Sequence, residues 1–309
     1  MRTLLLASLL VLPLTVSADE CKPSHWGADD EIGSANLITP KSILKAANLV
    51  KEGKSYSLGI TIDSTTPAFA PRSLSIQVVQ PGQQYGRLAF PNASYNDDLV
   101  QTWLGIGSQI DGLGHIGDEK GIYYNCNNIK DFADIKGLTK LGIQGIPPMV
   151  ARGIVLDMAA HYGVDHMPAG QYFTVDDVKD VALKQKTPIR EGDVVLFHTG
   201  WTDAKLESAP GEWVAGEPGQ SEEVARWLAK QQVLAVGADT WGLDPVPPQR
   251  ADHPFAGHVI LLKENGIYIL ETMNTGPLVR DGTYEFLFVL GQAKIQGAVQ
   301  MIINPVAIR

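Results

Sequence analysis

Residues 107–115 read GSQIDGLGH and bring an amide, a carboxylate and an imidazole close together among small residues. If the stretch is extended, Gln109, Asp111, Leu113 and His115 project to one side, because side chains alternate along a strand. Gln109 and Asp111 then offer oxygen to one cation, and His115 faces a water on that cation. Gly112 and Gly114 let the backbone bend close to a ligand. Read alone, the same residues also make a turn, with Asp111 bonded to its own backbone and His115 a satisfied, partly buried histidine.

A second cluster lies at 258–271, HVILLKENGIYILE. Its strand-like run GIYIL ends directly on Glu271, and His258 leads into the apolar pair Leu261 and Leu262. A carboxylate closing an apolar strand needs a partner if it is buried. Taken singly, His258 also reads as a core histidine and Glu271 as a strand end on the surface. Asp239 closes the apolar run VLAVGAD (233–239) and fits a place behind such a site as well as a cap or turn. Trp103 and Trp241 flank the two segments and suit either the walls of a pocket for a flat substrate or simple packing. His198 sits within an apolar strand and reads as a core histidine, while His161, His166 and His253 lack a partner pattern.

The elements that must position these groups follow from periodicity. TPKSILKAANLVKEG predicts a helix capped by Thr39, with Pro40 at its first position, an apolar stripe of Ile43, Leu44, Ala47 and Val50, and Gly53 as its stop. SLSIQVVQ (73–80) alternates as a half-buried strand does. GIVLDMA (153–159), GDVVLFHTG (192–200) and VLAVGAD are short apolar runs suited to buried strands. TVDDVKDVALKQK (174–186) and SEEVARWLAKQQ, opened by Ser221, read as capped helices, the latter after a loop, APGEWVAGEPG. Strands alternate with helices in the second half and predominate in the first. The chain shows no repeat and no low-complexity linker, so it reads as one α/β domain.

Composition narrows the function. At 44% hydrophobic and 19% charged the chain is an ordinary globular protein, and its formal charge of −9 comes with no basic cluster for nucleic acid. No G-x-S-x-G, H-E-x-x-H, Walker loop or C-x-x-C is present, which weakens serine-hydrolase, zincin, nucleotide-binding and redox readings. MRTLLLASLLVLPLTVSA has a basic start at Arg2, a short apolar stretch and small residues before Asp19. It is the pattern of a secretory signal covering residues 1–18, cleaved near Ala18-Asp19, with the remaining chain from 19 to 309 secreted or periplasmic. Glu20 stands where lipidation of Cys21 would need a small residue, and no later segment is apolar enough for a membrane partner. Cys21 and Cys126 can pair in an oxidising compartment or remain two buried thiols. Asn92-Ala93-Ser94 is a glycan acceptor sequence.

Together GSQIDGLGH and HVILLKENGIYILE resemble the cyclase family of metal-dependent hydrolases, which includes bacterial kynurenine formamidase and isatin hydrolase. The family signature is H-x-G-T-H-x-D-x-P-x-H followed far downstream by a ligand His and a ligand Glu. Gly107, Asp111 and His115 match it, Ser108 stands for the Thr, and His258 and Glu271 fit the downstream pair. The likeness runs from WGADDEIGSANLITP through GDVVLFHTGW and VGADTW to the end, and is nearest to a longer branch with GSQIDGLGH-like wording. Gly105 and Gln109 replace two ligand histidines, and Leu113 replaces the Pro.

The resemblance implies a single domain with the swivelling β/β/α arrangement and a homo-oligomer, dimer or tetramer, acting on a small-molecule substrate. It implies one divalent metal ion held by Asp111, His258, Glu271 and Gln109. Two carboxylates balance one divalent ion, and a mostly oxygen set with one imidazole raises Mn²⁺ relative to Zn²⁺. His115 takes the place of the family's general base, suited to that task by an imidazole pKa of about 6.5. Ser108, Asp239, Trp103 and Trp241 fall behind the ligands or beside the substrate. The implied reaction is hydrolysis of a cyclic amide, a lactone or an N-formyl amide. A binding protein that kept the fold, or a lyase or cyclase using the same metal, are the alternatives. Retention of Asp111, His115, His258 and Glu271 together argues against a decayed site.

Overall fold

The computed structural model describes residues 21–79 and 95–309. The signal-like residues 1–18 and the glycan acceptor Asn92 lie outside these. Fifteen strands are present among the described residues: β1 (Ser55–Ser57), β2 (Leu74–Val79), β3 (Asp97–Thr102), β4 (Gln109–Asp111), β5 (Ala133–Asp134), β6 (Gly137–Leu138), β7 (Met149–Asp157) and β8 (Tyr172–Phe173) in the first part. Then come β9 (Val194–His198), β10 (Gly219–Gln220), β11 (Ala235–Ala238), β12 (Tyr268–Glu271), β13 (Glu285–Leu290), β14 (Gln300–Ile302) and β15 (Val306–Ile308). Nine form one mixed sheet in the order β1-β15-β13-β7-β9-β11-β12-β4-β14. The expected single α/β domain is the fold observed.

The three apolar runs are its centre. β7, β9, β11 and β12 are mutually parallel neighbours, and β9 and β11 are buried throughout. Parallel strands covered on both faces must be apolar on both, which is why these stretches show no alternation. The helices Val175–Gln185 and Glu222–Lys230 form as the sequence predicts, capped by Thr174 and Ser221. The first helix, Pro40–Ala47, carries a capping box between Thr39 and Ser42. It stops at Ala47, before Val50 and Gly53. Leu44 is exposed and Ala46 is the residue it buries.

Other expectations change. β2 forms but is not half-buried: among the described residues it pairs only with β3, and this two-stranded arm leaves Ile76, Val78, Leu99 and Val100 exposed. APGEWVAGEPG is not all loop, because a helix spans Pro210–Ala215 and buries Trp213. Cys21 and Cys126 are joined in a disulfide, Cα–Cα 5.6 Å, which pins the start of the described chain to the loop after His115. No helix among the described residues is long and apolar enough to cross a membrane.

Candidate metal centre

Strand register assembles the site. On β4, Gln109 lies opposite Glu271 of β12 and Asp111 lies opposite Gln300 of β14. Residues two apart on a strand, and those directly across from them, share one face. That face therefore carries Gln109, Asp111, Glu271 and Gln300. The intervening Ile110, Leu270 and Met301 point the other way and are buried in the core. Alternation in QID and in YILE is what separates a polar pocket from an apolar core.

The extended stretch is shorter than its wording suggests. β4 ends at Asp111, the amide of Gly112 bonds to the Val299 carbonyl, and that of His115 to the Gly112 carbonyl. Leu113 consequently turns into the core, and His115 reaches the site from a turn rather than from the strand. The glycines make room for the protein itself. A β-carbon on Gly112 would lie 2.8 Å from the Val299 carbonyl oxygen, and one on Gly114 would lie 2.4 Å from Leu138 Cδ1.

His258 comes from above the sheet. It ends the short helix Ala256–His258, which continues as a π-helical stretch over Val259–Glu264 with Leu261 and Leu262 buried. Its Nδ1 donates to Asp244 Oδ2 at 2.7 Å, and its backbone amide bonds to the same oxygen at 3.2 Å. Asp244 thereby fixes the ring and leaves Nε2 facing Glu271 Oε1 at 3.1 Å and Asp111 Oδ2 at 3.7 Å. A carboxylate behind a histidine in this way sets the tautomer of a metal ligand.

Asp111, His258 and Glu271 are all buried, and one ligand atom from each lies within 4.8 Å of the others. Asp111 Oδ2 has no hydrogen-bond partner among the described residues. A buried, unpartnered carboxylate oxygen is costly unless a cation meets it, so the donor set fits a divalent ion. Gln109 joins the group through Nε2, which donates to Glu271 Oε2 and reaches Asp111 Oδ1 at 3.4 Å. Rotating the amide about its last bond would present the oxygen instead. Gln300 Nε2 donates to Asp111 Oδ1 at 2.7 Å and lies 3.5 Å from His115 Nε2. His115 Nε2 is 3.9 Å from Asp111 Oδ2, at the edge of the group.

The electrostatics follow from burial. Burial and the facing Asp111 carboxylate raise Glu271. Burial opposes charge on His258, but its bonds to Asp244 and Glu271 outweigh that and raise it. Burial lowers His115 against the pull of Asp111, which keeps its imidazole neutral near neutral pH. Glu217, also buried, is pushed well up by burial and then by Glu271. Its Oε2 accepts from the amides of Trp241 at 2.6 Å and Gly242 at 3.1 Å, holding that loop beside the centre.

The remaining expected residues divide. Ser108 is a brace: its hydroxyl accepts from the Ile60 amide at 2.9 Å and donates to the Thr272 carbonyl at 2.5 Å, tying β4 to the residue after Glu271. Trp241 stacks on Phe69 with centroids 5.6 Å apart and neighbours Phe255, whose ring meets His258 edge-on at 5.5 Å. It therefore belongs to an aromatic wall leading to the centre. Trp103 is half exposed, just past the end of the β2–β3 arm. Asp239 bonds instead to Thr199, through its amide and hydroxyl, both at 2.7 Å, and faces His198 Nδ1 at 3.6 Å. The core histidine and the strand-end acid are thus partners of each other. Asp244, Glu217 and Gln300 were not singled out from the sequence. Only Asp244 had a local signal, an acid in the loop that follows β11.

A buried acid–imidazole–acid cluster at the strand ends of a mixed sheet defines an α/β protein with a candidate metal centre. The chain belongs to the Cyclase family, whose model ("Putative cyclase") matches residues 56–245. No curated protein matches it. A crystal structure described as a novel cyclase is 30% identical and superposes with a TM-score of 0.83 over 92% of this chain and 96% of that one. Isatin hydrolase A from Ralstonia solanacearum is 19% identical, with a TM-score of 0.64 over 88% and 98%. A protein described as a predicted metal-dependent hydrolase from Bacillus stearothermophilus is 16% identical, with a TM-score of 0.52 over 83% and 98%. The last two share its fold.

Proposed function

We propose that this chain is a metal-dependent hydrolase of a small carbonyl compound, a cyclic amide, lactone or N-formyl amide. The observation that carries it is the buried triad Asp111, His258 and Glu271 with the unpartnered Asp111 Oδ2. Names of the fold's relatives, isatin hydrolase and metal-dependent hydrolase, support the reaction class. Asp111, His258 and Glu271, with the amide oxygen of Gln109, would hold one Mn²⁺ or Zn²⁺ ion. When bound, such an ion polarises a carbonyl and lowers the pKa of water to near neutrality.

The chain's own groups supply the rest. His115, neutral and at the edge of the triad, accepts the proton of the attacking water and returns it to the leaving nitrogen or oxygen. Asp244 keeps His258 Nε2 turned inward, and Gln300 holds Asp111 in place. The wall of Phe69, Trp241 and Phe255 excludes water and offers a flat face to a planar ring.

Two lesser expectations carry over as proposals. Secretion or periplasmic export is supported by the Cys21–Cys126 disulfide. A homo-oligomer, dimer or tetramer, is supported by the apolar residues left exposed on the β2–β3 arm, and light scattering decides it.

The test is elemental analysis of the purified chain beside Asp111→Ala. About one Mn or Zn per chain, lost in the variant, is expected from the balance of two carboxylates against one divalent ion. No bound metal and no thermal stabilisation by Mn²⁺ or Zn²⁺ would sink the proposal.

A further inference from the structure

Gly105 stands where the resembled family has its first ligand histidine, and the structure shows what fills that room. A β-carbon on Gly105 would lie 2.6 Å from Gln300 Oε1, 2.8 Å from Gln300 Nε2 and 2.9 Å from Arg72 Nη1. An amide and a guanidinium therefore occupy the space of a side chain at 105. Gln300 accounts for its own presence by bonding Asp111. Arg72 does not account for its charge so readily. Its only side-chain hydrogen bond among the described residues runs from Nη1 to the Gly105 carbonyl at 2.5 Å, and it has no ion pair among them.

A guanidinium carries five donors in a planar fork and is always charged. One donor is spent on Gly105, and the side chain is only partly buried, so others remain accessible. Arg72 Nη1 and the Gln300 amide crowd the same room at Gly105, and Gln300 in turn bonds Asp111 at 2.7 Å, which places the guanidinium one side chain away from the centre. With a divalent ion balanced by Asp111 and Glu271, the guanidinium has no carboxylate against it among the described residues.

We infer that Arg72 forms a carboxylate-binding subsite next to the metal centre. This rests on the hydrolase reading, for which a carboxylate is the natural ligand. Opening a cyclic amide or lactone creates one at the former carbonyl carbon, and a substrate can also bring its own. A carboxylate matches the guanidinium fork in two parallel hydrogen bonds, whereas a neutral amide does not. Gly105 is required because any side chain there would displace the fork.

The experiment titrates Mn²⁺-loaded and metal-free full-length chain with benzoate and with its neutral isostere benzamide, by calorimetry, for the wild type, Arg72→Gln and Arg72→Lys. Metal content is measured on every sample. Wild type is expected to bind benzoate at least about tenfold more tightly than benzamide, the Gln variant to lose that preference, and the Lys variant to keep part of it. Equal metal content across the three separates the subsite from the centre. If Arg72→Gln keeps the full preference at equal metal content, Arg72 only props Gly105 and the inference is overturned. If the Gln variant fails to fold, Arg72→Lys carries the test through loss of the two-pronged bond.

A chain that takes up no metal ends the hydrolase proposal, and the metal-free titration then decides Arg72 by itself. Kinetics tell the two sources of carboxylate apart. Where the substrate brings it, Arg72→Gln raises KM for a carboxylate-bearing cyclic amide and spares a neutral one. Where hydrolysis creates it, both KM values stay and inhibition by the ring-opened product weakens.

Discussion

Two buried histidine–carboxylate clusters sit at the carboxyl ends of neighbouring strands in the same sheet, and only one of them asks for a cation. Around His258 stand three carboxylates, Asp111, Asp244 and Glu271, with Asp111 Oδ2 unpartnered. Around His198 stands one, Asp239, whose Oδ1 takes two hydrogen bonds from Thr199 and whose Oδ2, likewise without a hydrogen bond among the described residues, faces the ring at 3.6 Å, while Thr275 Oγ1 lies 2.8 Å from it. Both sets are buried and both include a strand-end acid. The difference is charge balance: one imidazole can neutralise one carboxylate but not three. Burial of a histidine–acid pair is thus a structural feature by default, and a surplus of buried carboxylates is what marks a binding site.

The first way to break this comparison is to remove the imidazole proposed as the base. His115→Ala is expected to retain metal, measured by elemental analysis, and to lose about 10²–10⁴-fold in kcat, the usual contribution of a general base. Full activity in that variant would reduce His115 to a neighbour of the triad. Asp244→Asn comes next. It cannot hold Nδ1 as a carboxylate does, so metal affinity should fall about 10–100-fold, read by competition with a chelator. Unchanged affinity would mean that the helix alone orients His258.

The third substitution exchanges the clusters' roles. Asp239→Asn should leave metal content intact and lower stability by about 1–3 kcal/mol, because Thr199 and His198 lose a charged partner inside the protein. Loss of metal from this variant would merge the two clusters into one site. Burial raises Asp239, and so works against the charge that these partners satisfy.

How far the sequence reached follows from where each signal lies. The spacing of Gln109 and Asp111 is local, and a strand forms across these two, though it stops at Asp111 instead of running on to His115. Glu271 closes an apolar run, and the run is a buried strand. Capping at Thr174 and Ser221 is equally local, and both helices start there. What stayed hidden depends on chain crossings. Gln300 meets Asp111 across 189 residues, and Asp239 meets Thr199 across 40. Arg72 enters only because Gly105 has no side chain. Alternation points His115 along a strand, and a hydrogen bond back to Gly112 overrides it. The exposed β2–β3 arm defeats the alternation rule for a related reason: its pattern specifies a strand, and nothing local says whether a core lies behind it.

The smallest effect comes from a third histidine–acid pair, near the surface. Asp177 takes hydrogen bonds from the hydroxyl and amide of Thr174 at 2.6 and 2.8 Å and from Tyr162 at 3.0 Å, with His161 Nε2 at 3.0 Å. Burial works against its charge, but these bonds prevail and bring it down to about 2. A carboxyl lowered on folding stabilises the protein above its unfolded pKa, and that contribution is lost as pH falls through the folded value. Asp177→Asn should therefore cost about 1–2 kcal/mol at neutral pH, through the weakened capping box as well as the lost charge. Denaturant unfolding of both proteins should show the gap closing between about pH 4 and pH 2. A gap independent of pH would mean that the helix cap, rather than the ionised carboxylate, carries the effect. Metal content should be the same in both, since Asp177 is met by the imidazole and three neutral donors, and Asp180, 3.7 Å from the other ring nitrogen, pairs with Lys184 at 2.8 Å, so that neither carboxylate is left to spare for a cation.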